Sequence, residues 1–441
     1  MDKIMMRLHG DGAVRPEQEP LLKVGILSDI QHYDQSSDWA FGNFRKALAL
    51  LAEHRPDALV IAGDLVESAG HEGEFLSYRR LLKEYFGERQ PRLIVCSGNH
   101  DVTCRPAREP DKSLDIFCRN LEIPRESPLK QSVGGYDFIT VHEECADEYS
   151  GSTLAELAAM LDESTGRAPE KPVFVITHYP PYDTMAASAV KRRMVKLREV
   201  LNRYPQTVSL SGHTHYPLED ERAIWQREFT ALTASTLSYG CLEGEEAFNC
   251  CNGILPFARE VVQMTVLEIY SRRMVFRRYQ VEERREIKPD RRWTVDIPYD
   301  PAAARYTVDR AALREAPAFP AGAEMFLRYD YGFAYIIFDR AVHDDFTFSY
   351  RVTVAEKGAD GSWRERGSVR YAAGFYRLER NRGLREFFKL PADLLKSGAV
   401  NRIEVYPVES FGKMGEPLRM EHFVPAWWQY RPVDPEAAPQ E

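Results

Sequence analysis

The 441-residue chain is poor in cysteine, has no long apolar run and carries an excess of negative charge. Its seven cysteines are Cys96, Cys104, Cys118, Cys145, Cys241, Cys250 and Cys251. An odd count with no C-x-x-C pair argues against a disulfide framework or a structural zinc site and fits a reducing compartment. No apolar stretch is long enough to span a bilayer. Residues 1–20 include Arg7, Asp11, Arg15 and Glu17 and lack the apolar core of a signal peptide, so they read as a polar tail of a cytoplasmic protein. A net charge of −9 gives no general pull toward nucleic acid or anionic lipid, and neither is expected as a partner. The oligomeric state stays open. Internal repeats and low-complexity tracts are absent. Hydrophobic residues at 44% and aromatics at 11% supply enough material for sizeable cores, and the length allows one to three domains.

What is present is an ordered set of short polar motifs. They are Asp29-Ile30-Gln31, Gly63-Asp64-Leu65-Val66-Glu67, Gly98-Asn99-His100-Asp101, Thr177-His178 and Gly212-His213-Thr214-His215. Most follow a short apolar run: Val24–Leu27, Leu59–Ala62, Leu93–Cys96, Val173–Ile176 and Val208–Leu210. Such runs suit strands buried on both faces. Helical spacing lies between them, at Trp39–Leu51 with Ser36, Ser37 and Asp38 as caps, at Phe75–Tyr85, Leu154–Leu161 and Val190–Leu201. Ligand sites of α/β sheets lie beyond the carboxyl ends of strands, where the motifs fall. Asp, Asn and His offer the oxygen and imidazole donors that hold a pair of catalytic divalent metals.

Residues 222–280 turn strand-like, and 281–300 are charged and proline-bearing. Beyond them Phe346, Phe348, Tyr350, Val352 and Val354 alternate with polar residues, and Asp360-Gly361 is a turn signal. A small β-rich, sandwich-like domain is expected over 311–432, after a catalytic domain at 21–285 and a linker at 286–310, with a tail at 433–441. This second domain caps the first, recognises a partner, a glycan or part of the substrate, or stabilises a dimer. Trp427 and Trp428 are core residues or interface anchors.

The motif order resembles the calcineurin-like metallophosphoesterase superfamily over roughly residues 21–280. The resemblance implies an αββα sandwich of two mixed sheets. It implies Asp29, Gln31 and His215 on one metal, Asp64 bridging both, and Asn99, His178 and His213 on the second. It also implies that His100 faces the scissile phosphate rather than a metal. The first motif is usually Asp-x-His in that superfamily, and a Gln there is similar to manganese-dependent diphosphatases of ADP-ribose and CDP-alcohols. Gln31 is expected as a ligand ahead of His32, which projects elsewhere. A carbonyl oxygen there favours Mn²⁺ or Mg²⁺ over a His site, so Mn²⁺ is the preferred ion, with Fe, Zn or Mg as alternatives.

These residues imply a dinuclear metal-dependent hydrolase of a small phosphorylated substrate, a phosphodiester or diphosphate of a nucleotide or alcohol. A metal-bridging hydroxide would be the nucleophile and His100 the general acid, with Glu67 ahead of Asp101 as the carboxylate that holds its proton. The alternatives are a phosphomonoesterase and a non-catalytic metal-binding module. Tyr33, Tyr179, Tyr182, Tyr216 and Tyr239 lie near motifs, with Tyr179 and Tyr182 the better candidates for stacking on substrate. His142 follows a strand and is an outside candidate. The cluster Arg272, Arg273, Arg277 and Arg278 reads as a solvated strand face.

Overall fold

The structure is a computed structural model that describes residues 19–32, 39–68, 72–102, 109–189, 193–243, 254–330, 332–391, 393–426 and 428. Most of the tail expected at 1–20, all of that at 433–441, the caps Ser36, Ser37 and Asp38, and Tyr33, Cys250, Cys251 and Trp427 lie outside these residues.

The chain runs through β1 (Leu22–Leu27), α1 (Trp39–His54), β2 (Ala58–Ala62), α2 (Glu72–Phe86), β3 (Arg92–Cys96), α3 (Asn99–Val102) and α4 (Pro110–Leu121). It continues through β4 (Leu129–Val133), β5 (Tyr136–Thr140), α5 (Gly151–Arg167), β6 (Val173–Thr177), α6 (Val195–Leu201), β7 (Thr207–Ser211), β8 (Ile224–Gln226) and β9 (Thr230–Thr233). Next come β10 (Gln263–Ile269), β11 (Arg273–Gln280), β12 (Arg285–Ile287) and β13 (Trp293–Asp296). The last strands are β14 (Met325–Asp330), β15 (Phe333–Asp339), β16 (Ser349–Lys357), β17 (Trp363–Ala372), β18 (Arg385–Lys389), β19 (Ala399–Val408) and β20 (Leu418–Val424).

Two mixed sheets form the first unit. One has the order β12-β11-β10-β1-β2-β3 with β13 on β11, and the other β4-β5-β6-β7-β9-β8. β1, β2 and β3 are parallel, as are β5, β6, β7 and β9. The period of two along each strand explains the layers. Val60 and Ala62 face the second sheet, meeting Phe174, Ile176 and Leu210 in one core. Leu59 and Ile61 face the other way, onto Phe44 and Leu48 of α1 and Leu82 of α2. On the second sheet Val175 turns outward to Leu157 and Leu161 of α5 and Leu197 of α6. Helix, sheet, sheet and helix thus enclose three apolar layers, as the resemblance implied. A fully buried aliphatic side chain in them contributes roughly 1.5–3 kcal/mol. The start of α5 is fixed by Ser150, whose hydroxyl accepts from Thr153 N at 3.3 Å, a cap worth about 1 kcal/mol.

The stretch 286–310, read from its charge and prolines as a linker, carries β13 on the first sheet. Trp293 and Val295 point inward and are buried, while Arg292 and Arg277 both pair with Glu286. The basic cluster differs from the solvated face expected of it. Arg278 is fully buried, its guanidinium 4.1 Å from the Trp293 ring centroid, and it bonds Leu218 O and Glu221. A charge so placed persists because its Nη1 and Nη2 donors reach Leu218 O, Glu221 and Arg291 O, although Nε has no partner.

The last seven strands form two antiparallel sheets, β14-β15-β18 and β17-β16-β19-β20. Ile336, Phe338, Val352, Val354, Ile403 and Val405 fill the space between them, and Trp428 joins this core. Phe348, Phe375 and Tyr376 instead pack with the core between the first two sheets. The two units therefore share apolar surface. Cys96 and Cys118 are buried free thiols, whereas Cys145 is in a disulfide, which departs from the reducing compartment expected from the cysteine pattern. No helix among the described residues is long and apolar enough to cross a membrane.

Candidate metal centre

Each motif sits just past the carboxyl end of a parallel strand: Asp29 after β1, Asp64 after β2, Asn99 after β3, His178 after β6, and His213 and His215 after β7. The two sheets lie face to face, so these ends meet. Asp29, Asp64 and His178 each offer a donor atom, all within 4.8 Å of one another, and all three are buried.

Two imidazoles are held in the same way. His178 Nδ1 donates to Ala62 O at 2.9 Å, leaving Nε2 at 3.1 Å from Asp64 Oδ2 and 3.1 Å from Asn99 Oδ1. His215 Nδ1 donates to Tyr239 O at 2.7 Å and points Nε2 at Asp29 Oδ1, 3.0 Å away. A carbonyl can only accept, so it fixes the tautomer and frees the far nitrogen for a cation, as in metal-ligating histidines. His213 turns its ring 5.2 Å from that of His178, and its backbone N–H donates to both Asp29 oxygens at 3.0 and 3.2 Å. Nitrogen and carboxylate donors of this set fit divalent ions.

Gln31 is buried, and its Oε1 accepts from Ser238 Oγ at 2.8 Å while Nε2 has no partner. An amide turned over would put Nε2 on the hydroxyl and leave the oxygen as the unpartnered atom, as a cation ligand requires. His32 points away, its ring 5.1 Å from Phe41 and 5.3 Å from Tyr78 on the helix side of the sheet.

The loops bend sharply to aim these groups. Asp29, Gln31, Asp64, His213 and His215 all have φ between 47° and 66°. Each such residue costs roughly 1–2 kcal/mol over glycine, strain that persists where surroundings enforce it. Two glycines serve close approach rather than turning. A Cβ on Gly98 would lie 2.2 Å from Asp64 Oδ1, and one on Gly212 would lie 2.0 Å from Ser28 Oγ and 2.6 Å from Asp29 Oδ2.

The field in the centre is steep. Burial alone would raise the Asp64 carboxyl, but His178 beside it holds it well below the usual carboxylate range. Burial opposes charge on His178 as well, and Asp64 overrides it, pushing the imidazole up to about 10. His215 is raised in the same way by Asp29, against its burial. His213 goes the other way, held neutral by burial and by His178.

His100 stands at the start of α3. Its backbone N–H donates to Asp64 Oδ1 at 2.9 Å, and its Nδ1 lies 2.7 Å from Glu67 O and 3.7 Å from the Glu67 carboxylate. Asp101, the other candidate for holding the His100 proton, is occupied elsewhere. Its oxygens accept from Leu65 N, Val66 N and Gly98 N at 2.8–3.1 Å, binding the second and third motif loops together. His142 is likewise a loop support: its Nδ1 accepts from Ser97 N at 3.0 Å, and burial pushes its pKa down to about 4.

Residues 22–217 match the calcineurin-like phosphoesterase family. Proteins of that family are generally metal-dependent hydrolases with dinuclear centres, and the matched residues include the cluster Asp29, Asp64 and His178. Among solved structures, the chain is similar to a dimetal phosphatase from Danio rerio at 14% identity, over 64% of this chain and 100% of that one, with a TM-score of 0.42. It is also similar to the purple acid phosphatase PPD1 of yellow lupin (Lupinus luteus) at 12% identity, over 70% and 58%, with a TM-score of 0.47. The search of curated proteins found no match.

Around the candidate centre, two of the motif tyrosines flank the candidate ligands. Tyr179 lies 4.1 Å from the His213 ring, and Tyr239 stacks on His215 at 4.3 Å. Tyr216 instead donates to Asp220 and is fully buried. The motifs did not show Ser238, Arg193 or Glu143. Ser238 follows β9, so the strand-end rule that picked out the others reaches it. Arg193 lies 4.7 Å over the Tyr179 ring and pairs with Asp147. Glu143 is buried, and burial pushes it up to about 7. Neither has a sequence signature.

Proposed function

We propose that the chain is a dinuclear metal-dependent phosphoesterase that cleaves a phosphodiester or diphosphate of a small nucleotide or alcohol. The observation that carries this is the convergence of Asp29, Asp64 and His178 within 4.8 Å, with His215 and Asn99 at hydrogen-bond distance from them. Asp29, Gln31 and His215 would hold one ion, Asn99, His178 and His213 the other, and Asp64 both. Mn²⁺ is the preferred ion, ahead of Fe, Zn or Mg. When bound, two such ions supply an activated water and neutralise phosphoryl oxygens.

The chain's own residues supply the rest. Ala62 O and Tyr239 O orient the two imidazoles, and the Asp29 carboxylate takes the His213 N–H, so the ligand set is pre-formed. His100, tethered through Nδ1 to Glu67, is the general acid: Nε2 delivers the proton to the departing oxygen. Asp101 keeps the Asp64 and His100 loops in register. The diphosphate preference, and with it the closer likeness to ADP-ribose and CDP-alcohol diphosphatases, rests on Gln31. A cytoplasmic setting is proposed on the free thiols of Cys96 and Cys118. The disulfide at Cys145 speaks against it, and thiol titration of protein trapped in cell extracts decides.

Turnover of bis-p-nitrophenyl phosphate above p-nitrophenyl phosphate with Mn²⁺ is the expected result. The reverse order would make the protein a phosphomonoesterase, and no turnover of either by the metal-loaded protein would leave a binding module.

A further inference from the structure

A cavity of about 660 Å³ opens beside the metal centre, lined among others by Gln31, Glu67, Tyr239, Trp39, Phe257 and Glu260. Its inner end belongs to the centre. Glu67 is the partner of His100, Tyr239 stacks on His215, and Gln31 is bonded to Ser238. A phosphate held by two metals does not need this space, whose size matches sites for drug-sized ligands. The aromatic rings are each fixed on one face. Arg259 Cζ lies 4.6 Å from the Trp39 centroid, Arg377 Cζ 3.7 Å from that of Phe257, and the His215 ring 4.3 Å from that of Tyr239.

The outer wall is held from the β-rich unit. Arg377 donates from Nε and Nη2 to the Glu260 carboxylate at 2.8 and 2.9 Å, and Leu378 N and Asn381 Nδ2 reach the same carboxylate at 2.9 and 3.0 Å. The Tyr376 hydroxyl donates to Pro256 O at 2.8 Å. Between these anchors Phe257 keeps φ at 58° while its side chain is 65% exposed. A bulky aromatic held in a left-handed conformation and left largely open to solvent carries a backbone cost, and such outliers gather at ligand clamps.

Building on the phosphoesterase reading above, we infer that this cavity receives a planar aromatic leaving group of the substrate, and that Arg377 is a positioning residue through which the β-rich unit holds Phe257 and Glu260 as its wall. The side of the phosphate is set by the acid: Glu67 both lines the cavity and lies beside His100, so the oxygen that takes the proton faces this space.

The test is calorimetric titration of the full-length Mn²⁺-loaded protein with phenylphosphonate and with methylphosphonate, a readout that needs no turnover. The native protein is expected to bind the phenyl compound about tenfold more tightly, and Trp39→Ala or Arg377→Ala to lower that ratio by about fivefold, in the range of aromatic contacts. Arg377→Lys should restore part of it, and Arg402→Ala on β19 should leave it unchanged. Should Arg377→Ala fail to fold, Glu260→Gln removes the same ion pair. Equal affinity for the two phosphonates, no binding of the phenyl compound, or a preference indifferent to Trp39 and to the Arg377–Glu260 pair would each overturn the inference. If phosphodiester turnover persists in any of those cases, the phosphoesterase reading survives without it.

Discussion

In the first unit fifteen of the described non-glycine residues, from Asp29 to Lys288, carry the backbone through positive φ, whereas in the β-rich unit every described residue that does so is a glycine. Asp29, Gln31, Asp64, His213 and His215 are among the fifteen. The β-rich unit bends where bending is cheap, as at Gly361 in the β16–β17 turn. The other bends at residues chosen for their side chains, and its packed sheets carry the strain. Asp64 and His178 are paired in full burial, while Arg419 and Glu404 of the sandwich pair near solvent.

The contrast can be broken at the centre first. Asp64→Asn removes the carboxylate proposed to serve both ions, and activity should fall on the order of a thousandfold. Atomic absorption should show fewer ions per chain, and in chelator the melting temperature should drop as well, because His178 loses its partner inside the core. Unchanged metal content would remove Asp64 from the ligand set.

His100→Asn sharpens the division between holding metal and using it. Its turnover should decline by roughly a hundredfold to a thousandfold with metal content intact. A parallel loss of metal would show that the ring helps build the site.

Gly98→Ala tests whether close approach, rather than turn geometry, explains that glycine. The added carbon must displace the Asp64 carboxylate, so metal affinity should weaken by about tenfold to a hundredfold, comparable to losing an outer-shell contact. Gly361→Ala in the sandwich, with φ of 81° and open space around it, should cost only stability, about 1 kcal/mol.

The pH dependence of stability should also come from the first unit. His142 has a folded pKa of about 4, against an ordinary 6.5, because burial excludes its charge. Below pH 6.5 the unfolded chain therefore takes up a proton that the folded chain refuses. His142 thus makes stability fall as pH drops from 6.5 to 4, by about 3 kcal/mol in total. Glu143, raised to about 7 by burial, works in the opposite direction over the same range. The contribution of His142 is the difference between native and His142→Asn melting curves, whose acid slope should be shallower in the variant. The smallest effect belongs to the sandwich surface: Arg419→Ala should shift stability by less than about 1 kcal/mol, and less still in high salt.

Much of the layered fold could be read in the amino-acid sequence, because strands buried on both faces must be written as unbroken apolar runs such as Leu59–Ala62. The positions of Asp29, Asp64, Asn99, His178, His213 and His215 could be read too, because a strand's carboxyl end is a local feature. Three-dimensional packing alone decided the rest. It turned His32 toward Phe41 and Tyr78, gave Asp101 to backbone amides, buried Arg278 against Trp293 and recruited 293–296 into a sheet. It also brought Arg377 onto Glu260 across 117 residues of chain. The residue types along a segment set which faces it must bury and which donors it can offer. Which partner satisfies each donor depends on segments remote in the chain, and no local pattern encodes that.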